Sequence, residues 1–183
     1  MPAIQALCVA YIELIRGVPL ISLLFMASVM LPLFLPSGVS IDKMLRAEIA
    51  LIAFAAAYLA EVVRGGLQAI PRHQYEAAQA LGFGYWGETA FVILPQALRI
   101  AVPPLVNTFI GLFKDTSLVV IIGLFDFLQT LKISLNEPAW TGFGVEAYLF
   151  AAMVYFVFCF AMSQYSKKLE LNPSGSSPRL PTG

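Results

Sequence analysis

The chain has 183 residues, of which 59% are hydrophobic and 12% are charged, and its mean hydropathy is +0.80. This composition excludes an ordinary soluble domain and indicates an integral membrane protein. The eleven basic and eleven acidic side chains cancel, so the charge balance gives no indication of a nucleic acid partner.

Apolar stretches predict the membrane topology. A helix needs about twenty apolar residues to cross the hydrocarbon core of a bilayer. Four stretches are long enough: Val18 to Leu35, Leu45 to Val63, Arg99 to Phe125 and Val145 to Tyr165. Before them, Glu13 and Arg16 interrupt the apolar pattern before it could span, and no basic residues precede it as in a signal peptide. The sequence predicts an all-α polytopic membrane protein with one domain, residues 1–171.

Basic residues are distributed unevenly on the two sides of these spans. Seven lie on the side of the central loop, residues 64–98, and of the C-terminal tail, whereas Lys43, Arg46 and Lys132 lie on the other side. The positive-inside rule therefore predicts that the central loop is cytoplasmic. Residues 172–183 are rich in Pro, Gly and Ser, and we expect them to be disordered.

The polar residues 71–82 predict a short helix outside the membrane. Pro71 suits a first helical position, and Gly82 suits the left-handed residue that ends a helix. The helix would be roughly 16 Å long, too short to span. Ala77, Ala78 and Leu81 would form a smooth surface suited to a groove of another protein. The alternative is an amphipathic helix lying on lipid.

Glu76-Ala77-Ala78, then Gly82, then Leu94-Pro95 resembles the EAA loop of the permease subunits of bacterial ABC importers. Other segments are similar to the polar amino-acid uptake family: YIELIRGVP (11–19), AYLAEVVRGGLQAIP (57–71), LPQALR (94–99) and PPLVNTFIGLFKDTSLV (103–119). FDF (125–127) and YFVFCFAMSQYSKKLE (155–170) resemble its general L-amino-acid branch. The resemblance covers nearly the whole chain.

The resemblance implies a type I ABC importer permease in the inner membrane of a bacterial cell. The residues that would couple it to a separate ATPase are Glu76, Ala77, Ala78, Gly82, Leu94 and Pro95. The implied partners are two ATPase subunits, a second permease of the same or a similar kind, a periplasmic or extracellular amino-acid-binding protein and membrane lipid. No GxxxxGK[ST] phosphate-binding loop occurs, so we expect the partner, and not this chain, to bind ATP.

Two departures from the family pattern concern the start of the chain and the start of the coupling helix. Relatives usually carry at least one more spanning helix before the YIELIRGVP segment, which implies a misplaced start or a truncation. His73 stands where glycine is usual. Its ring would change the helix start or add pH sensitivity, or, as the alternative, His73 is simply a solvated residue of the first turn. The carried amino acid cannot be read from the sequence, because the binding protein largely sets it in this family.

The third predicted span has a charged centre at Lys114 and Asp115. An ionisable residue at bilayer depth costs on the order of 3 kcal/mol and usually faces a cavity or a partner. Asn107, Gly111 and Lys114 share a helix face. One hypothesis is that this face lines the translocation path, with Lys114 binding a substrate carboxylate and Asp115 an ammonium group. The path candidates are Asn107, Lys114, Asp115 and Thr116.

Other interpretations stay open at this point. The span could break at its charged centre, with Asp115, Thr116 or Ser117 capping a second half-helix. The protein could also be a small ion channel or secondary carrier in which Lys114 and Asp115 serve an ion path without any ATPase. A membrane enzyme is disfavoured because no cluster of His, Cys or paired carboxylates is present for catalysis, and the isolated Cys8 and Cys159 do not form a metal-binding pattern.

Overall fold

The computed structural model describes residues 2–36 and 38–171, with side chains up to residue 169. The described residues form helices and contain no strand. The eight α-helices of the described residues are α1 (Pro2–Gly17), α2 (Leu20–Val29), α3 (Lys43–Gln68), α4 (Arg72–Ala80), α5 (Tyr85–Gly87), α6 (Leu94–Asp115), α7 (Phe127–Ser134) and α8 (Gly144–Leu171). A π-helical segment (Glu88–Ile93) leads into α6, and 3₁₀ turns cover Leu31–Phe34, Thr116–Ile122 and Pro138–Trp140. The predicted all-α fold is confirmed, whereas the predicted disordered tail lies outside the described residues.

Three helical stretches of the described chain are long and apolar enough to cross a membrane. They are Lys43–Gln68, Tyr85–Ile122 and Gly144–Leu169. The pair α1 and α2 qualifies as a fourth only when both are taken together, because they meet at a bend of 102°. The helices extend beyond the predicted spans, so that residues 64–68 of the predicted loop belong to α3 and residues 94–98 belong to α6.

The predicted first span, Val18 to Leu35, is not one continuous helix. The α-helix ends at Val29, and a 3₁₀ turn that contains Pro32 follows it. Upstream, the chain is helical through Glu13 and Arg16 and then bends at Pro19, whose ψ is 140°. A proline disfavours helical geometry at the residue before it, so Val18 and Pro19 separate the two helices. Composition indicated an apolar stretch but not this break.

Helix α3 lies at the centre of the bundle and packs against α1, α2 and α6. Its buried residues are all small: Ala47, Ala50, Ala57 and Gly66. At Gly66 an added Cβ would lie 2.8 Å from the Ala97 carbonyl oxygen and 3.1 Å from the Ala101 Cβ, so α3 and α6 touch through their backbones. Close approach of small residues is how helices associate where lipid provides no hydrophobic driving force.

Candidate functional site

Gly82 ends helix α4 as the sequence predicts, but the helix begins at Arg72, one residue after the predicted first position at Pro71. Pro71 precedes it with φ of −64° and ψ of 145°. At the other end Gly82 has φ of 84°, the left-handed conformation that a side chain disfavours. The Gly82 amide donates to the Gln79 carbonyl at 2.9 Å, and the Phe83 amide donates to the Ala78 carbonyl at 3.1 Å. These two bonds form a Schellman motif, so Gly82 ends the helix through its backbone.

One face of α4 packs on its own chain. Tyr75 packs against a cluster of Ile70, Ile93 and Ala97. Ala78, one turn further along the same face, is 2% exposed. The expectation that Ala78 belongs to an outward smooth surface is therefore wrong, because the π-helical segment covers this side of α4.

The other face of α4 is uncovered by the described chain. Glu76 and Ala77 are exposed, and Leu81 just after the helix is 78% exposed. Tyr85 and Trp86 follow at the surface, with Trp86 80% exposed and the two rings edge to face at 5.2 Å. This side combines a carboxylate, a low alanine surface and apolar side chains. Sequence reasoning missed the aromatic pair, whose signal was a Tyr-Trp step between Gly84 and Gly87.

Leu94 and Pro95 shape the connection between α4 and α6. Pro95 has no amide to donate to the carbonyl four residues earlier, which disfavours a regular α-helical turn at this point. The Leu94 amide instead donates to the Thr89 carbonyl, five residues earlier, as in a π-helix. The wider turn directs Glu88 and Ile93 into the interior, where both are buried. Leu94 and Pro95 themselves are exposed.

Two side-chain hydrogen bonds connect α4 with the π-helical segment and with the start of α6. The Gln79 Nε2 donates to the Glu88 Oε2 at 3.0 Å. The Gln96 Nε2 donates to the Gln74 Oε1 at 3.1 Å and to the Val92 carbonyl at 2.8 Å. Together with the apolar cluster, these bonds fasten α4 to the N-terminal end of α6.

At the other end of α6, the helix changes type at Lys114 and Asp115, which form the charged centre of the predicted third span. The α-helix ends at Asp115 and continues as a 3₁₀ turn, and the helical stretch Tyr85–Ile122 is long and apolar enough to cross a membrane as a whole. The Asp115 side chain does not cap this turn. The Thr116 hydroxyl donates back to the Phe113 carbonyl at 2.7 Å, and the Ser117 hydroxyl donates to the Lys114 carbonyl at 2.9 Å. The alternative of a second half-helix capped by these side chains is therefore wrong.

Asp115 lines a cleft of about 500 Å³ between α1, α2, α3 and the end of α6. Its other lining residues include Arg16, Phe54, Tyr58 and Leu118. A guanidinium and a carboxylate thus border one open space with aromatic walls. Sequence reasoning missed Arg16 as a site residue, although a charge directly before the Gly-Val-Pro break of an apolar region was the available signal.

The Arg16 side chain is held by α3. Its Nη1 lies 3.6 Å from the Glu61 Oε1, and its guanidinium carbon lies 5.6 Å from the centre of the Tyr58 ring. The Arg64 Nη2 contacts the same Glu61 oxygen at 2.6 Å, but Arg64 does not line the cleft. Glu61 therefore joins two arginines, of which Arg16 borders the open space.

The predicted polar stripe of α6 lies apart from this cleft. Asn107, Lys114 and Thr116 are exposed. An added Cβ at Gly111 would meet none of the described atoms within 4 Å. The stripe thus lies on a face that the described part of the chain leaves uncovered. The structure does not bring Lys114 and Asp115 together in one space.

No metal site is formed by the residues that the structure describes. They contain no group of three or more His, Cys, Asp or Glu side chains placed to hold a metal ion. The polar groups of the site are instead one guanidinium and one carboxylate in the cleft, and carboxamide and carboxylate groups around α4. This arrangement is suited to binding charged organic groups and to contact with another protein.

Known relatives match along most of the chain. The inner membrane amino-acid ABC transporter permease protein YhdY of Escherichia coli K12 is 58% identical over 170 residues, which are 93% of this chain and 46% of the relative. The glutamate/glutamine/aspartate/asparagine transport system permease protein BztC of Rhodobacter capsulatus is 52% identical over 93% of this chain and 39% of the relative. The chain thus spans less than half the length of these two relatives.

Shorter relatives and a solved structure match as well. The probable glutamine ABC transporter permease protein GlnP of Bacillus subtilis is 34% identical over 93% of this chain and 77% of the relative. A chain of a solved structure, described as the crystal structure of an amino acid ABC transporter with histidines, has 32% sequence identity and a TM-score of 0.81. This match covers 93% of the present chain and 77% of that one.

The family model named "Binding-protein-dependent transport system inner membrane component" matches residues 2–170. Its match includes the bent pair α1 and α2, helix α4 and the whole of α6. The chain is therefore a multi-pass inner membrane protein, and it belongs to the family of inner membrane components of binding-protein-dependent transport systems.

Proposed function

We propose that this chain is the translocation subunit of an ATP-driven amino-acid importer. The names of the reported relatives support this, since all of them concern amino-acid transport. The observation that carries the proposal is the position of α4. An exposed helix is fastened to one end of α6, and the other end of α6 reaches the cleft at Asp115. One element thus connects a docking surface with a cleft that bears charged groups.

The cleft fits an amino acid in its zwitterionic form. Arg16 would bind the substrate carboxylate through a charge-assisted hydrogen bond. Asp115 would bind the ammonium group, as the sequence already indicated. Arg16 thereby takes the role that the sequence assigned to Lys114. The Phe54 and Tyr58 rings would contact the aliphatic part of the substrate.

A second permease subunit would complete the translocation path. The stripe of Asn107, Gly111 and Lys114 is free in the described part of this chain and would face the path from its other side. An amino-acid-binding protein would deliver the substrate from the periplasmic or extracellular side. These partners, like the ATPase, are inferred from the family of the chain.

The energy for import would come from a separate ATPase that docks on the outer face of α4. The coupling residues of the sequence-based prediction then have distinct roles. Glu76 and Ala77 would contact the ATPase, Ala78 seats α4 on its own chain, and Gly82 ends the helix. Leu94 and Pro95 give the connection to α6 its shape. ATP would bind to the partner, and this chain would hold no cofactor.

A channel or secondary carrier is not favoured by any of these observations. Such a mechanism would use Lys114 and Asp115 in one ion path. Asp115 borders the cleft with Arg16, whereas Lys114 is exposed and does not line it. The observations therefore favour the importer over a channel or secondary carrier.

Co-purification in detergent with the candidate ATPase tests the docking role of α4. Gly82→Val should strongly reduce ATPase capture, because a β-branched residue in the left-handed conformation is strained and the end of α4 would change. Gly84→Val is the matched control. Gly84 has φ of −77°, and none of the described atoms lies within 4 Å of an added Cβ there. Equal capture by both variants would contradict the docking role.

A further inference from the structure

Glu88 is a buried acidic residue, and it is not part of the exposed surface beside α4. Glu88 is 7% exposed and lies at the start of the π-helical segment. A buried carboxylate is costly unless hydrogen bonds satisfy it. The described residues supply such a bond from α4, where the Gln79 Nε2 donates to the Glu88 Oε2 at 3.0 Å. The bond crosses from the docking helix to the segment that leads into α6.

A second bond secures α4 nearer its other end. The Gln96 side chain donates to the Gln74 Oε1 at 3.1 Å and is itself held by the Val92 carbonyl. Gln74 and Gln79 lie roughly 7 Å apart along the helix axis. Tyr75 and Ala78 fill the space between them with apolar contacts. Helix α4 is therefore fastened at two points on its inner face.

The two kinds of contact transmit force differently. Apolar contacts are non-directional, so a helix that rests on them alone can slide or rotate at small cost. Hydrogen bonds lose strength steeply when their angle changes. The Gln79–Glu88 bond thus resists rotation of α4 about the Gln74 end. Glu88 continues without a break into α6, whose 22 residues span roughly 33 Å up to Asp115.

We propose that Gln79 and Glu88 are positioning residues that make α4 and α6 move as one body, so that movement of the docked ATPase reaches the cleft. This inference rests on the proposed importer function. It assigns a coupling role to two residues outside the six that the EAA loop resemblance implied. When the bond is lost, the ATPase would still bind and hydrolyse ATP, but α4 would move without carrying α6 with it.

Exchange of the two side chains tests the proposal. Gln79→Glu sets two carboxylates against each other, whereas the double variant Gln79→Glu with Glu88→Gln restores one amide donor and one carboxylate acceptor. The natural full-length permease is assembled with its ATPase and binding protein in proteoliposomes. The measured quantity is the amount of amino acid imported per ATP hydrolysed. This ratio should fall about tenfold in Gln79→Glu, the effect of losing one charge-assisted hydrogen bond, and should return in the double variant.

Glu88→Gln as a single variant is the conservative control. Its carboxamide oxygen still accepts a hydrogen bond, so the ratio should change little. ATPase capture and the rate of ATP hydrolysis should stay near the unsubstituted values in all three variants, because Gln79 and Glu88 act after docking. This separates a lost connection from a lost docking surface.

Two results would overturn the proposal. One is an unchanged import ratio in Gln79→Glu. The other is a double variant that stays as defective as Gln79→Glu, which would assign the defect to the new charge on α4 and not to the bond. Failure of the proposed function is a different result, since the unsubstituted assembly would then show no ATP-dependent import at all.

Discussion

Arg16 shows how one charged residue is kept in an apolar region. It lies just before the bend between α1 and α2, and it contacts Glu61 and the Tyr58 ring of α3. Charged side chains in membrane proteins usually face a partner or a cavity, and Arg16 has both. If Arg16 served only as the ion-pair partner of Glu61, it would not need to border the cleft. This position makes Arg16 a direct test of substrate binding.

Replacement of Arg16 by glutamine should weaken amino-acid uptake. Loss of a hydrogen bond to a charged group costs about 1.5–3 kcal/mol, which corresponds to a rise of about 10- to 100-fold in the KM for uptake. Arg64→Gln is the matched control, because Arg64 also pairs with Glu61 but does not line the cleft. The check is the rate of uptake in proteoliposomes against substrate concentration. An equal rise in KM for both variants would contradict a role of Arg16 in substrate binding.

The sequence predicted those site residues whose role depends on local chain geometry. Gly82 ends α4 because of its own left-handed conformation, and Pro95 acts on the turn directly before it. Arg16 and Asp115, in contrast, are distant in the sequence and meet only because α1 and α6 pack on α3. No local pattern could assign both to one cleft. The aromatic pair beside α4 was missed for a similar reason, since exposure is a property of the folded chain.

At the scale of the elements, the prolines show which helix boundaries the sequence predicts and which it does not. Pro71 predicted the start of α4 to within one residue, because the sequence around it is polar and the helix is short. Pro19 and Pro32 lie near the two ends of the predicted first span, Val18 to Leu35. In the structure Pro19 instead accompanies a bend of 102°, and Pro32 lies in a 3₁₀ turn after α2 has ended. Apolar composition cannot distinguish a straight span from two helices that meet at an angle.

The contact between α3 and α6 depends on Gly66. Gly66→Ala places a Cβ 2.8 Å from a backbone oxygen of α6, and the helices must shift to accept it. We expect a loss of about 1–3 kcal/mol in the free energy of unfolding, seen as a lower thermal unfolding midpoint in detergent.

The neighbouring glycine provides the control for this prediction. An added Cβ at Gly65 would meet none of the described atoms within 4 Å. Gly65→Ala should leave the midpoint unchanged or raise it slightly, because alanine favours a helix over glycine by up to about 1 kcal/mol. Similar midpoints for the two variants would argue against a close backbone contact at Gly66.

At the scale of the whole molecule, α6 joins the two parts of the site. Its N-terminal end holds α4 through the Ile70, Ile93 and Ala97 cluster and two side-chain hydrogen bonds. Its other end supplies Asp115 to the cleft. Helix α3 contacts the first part of α6 at Gly66, and it holds Arg16 of the cleft through Glu61. A movement applied to α4 would therefore change the cleft between α6 and the bent pair.

ATP-dependent amino-acid uptake is the measurement that tests the central claim most directly. Proteoliposomes would contain the natural full-length permease with or without its ATPase, with binding protein and labelled L-amino acids on the outside and ATP on the inside. The importer account predicts accumulation only when the ATPase and ATP are both present, and a large loss of it in Arg16→Gln. Uptake by the permease without the ATPase, driven by an ion gradient and indifferent to ATP, would contradict the account and support a secondary carrier.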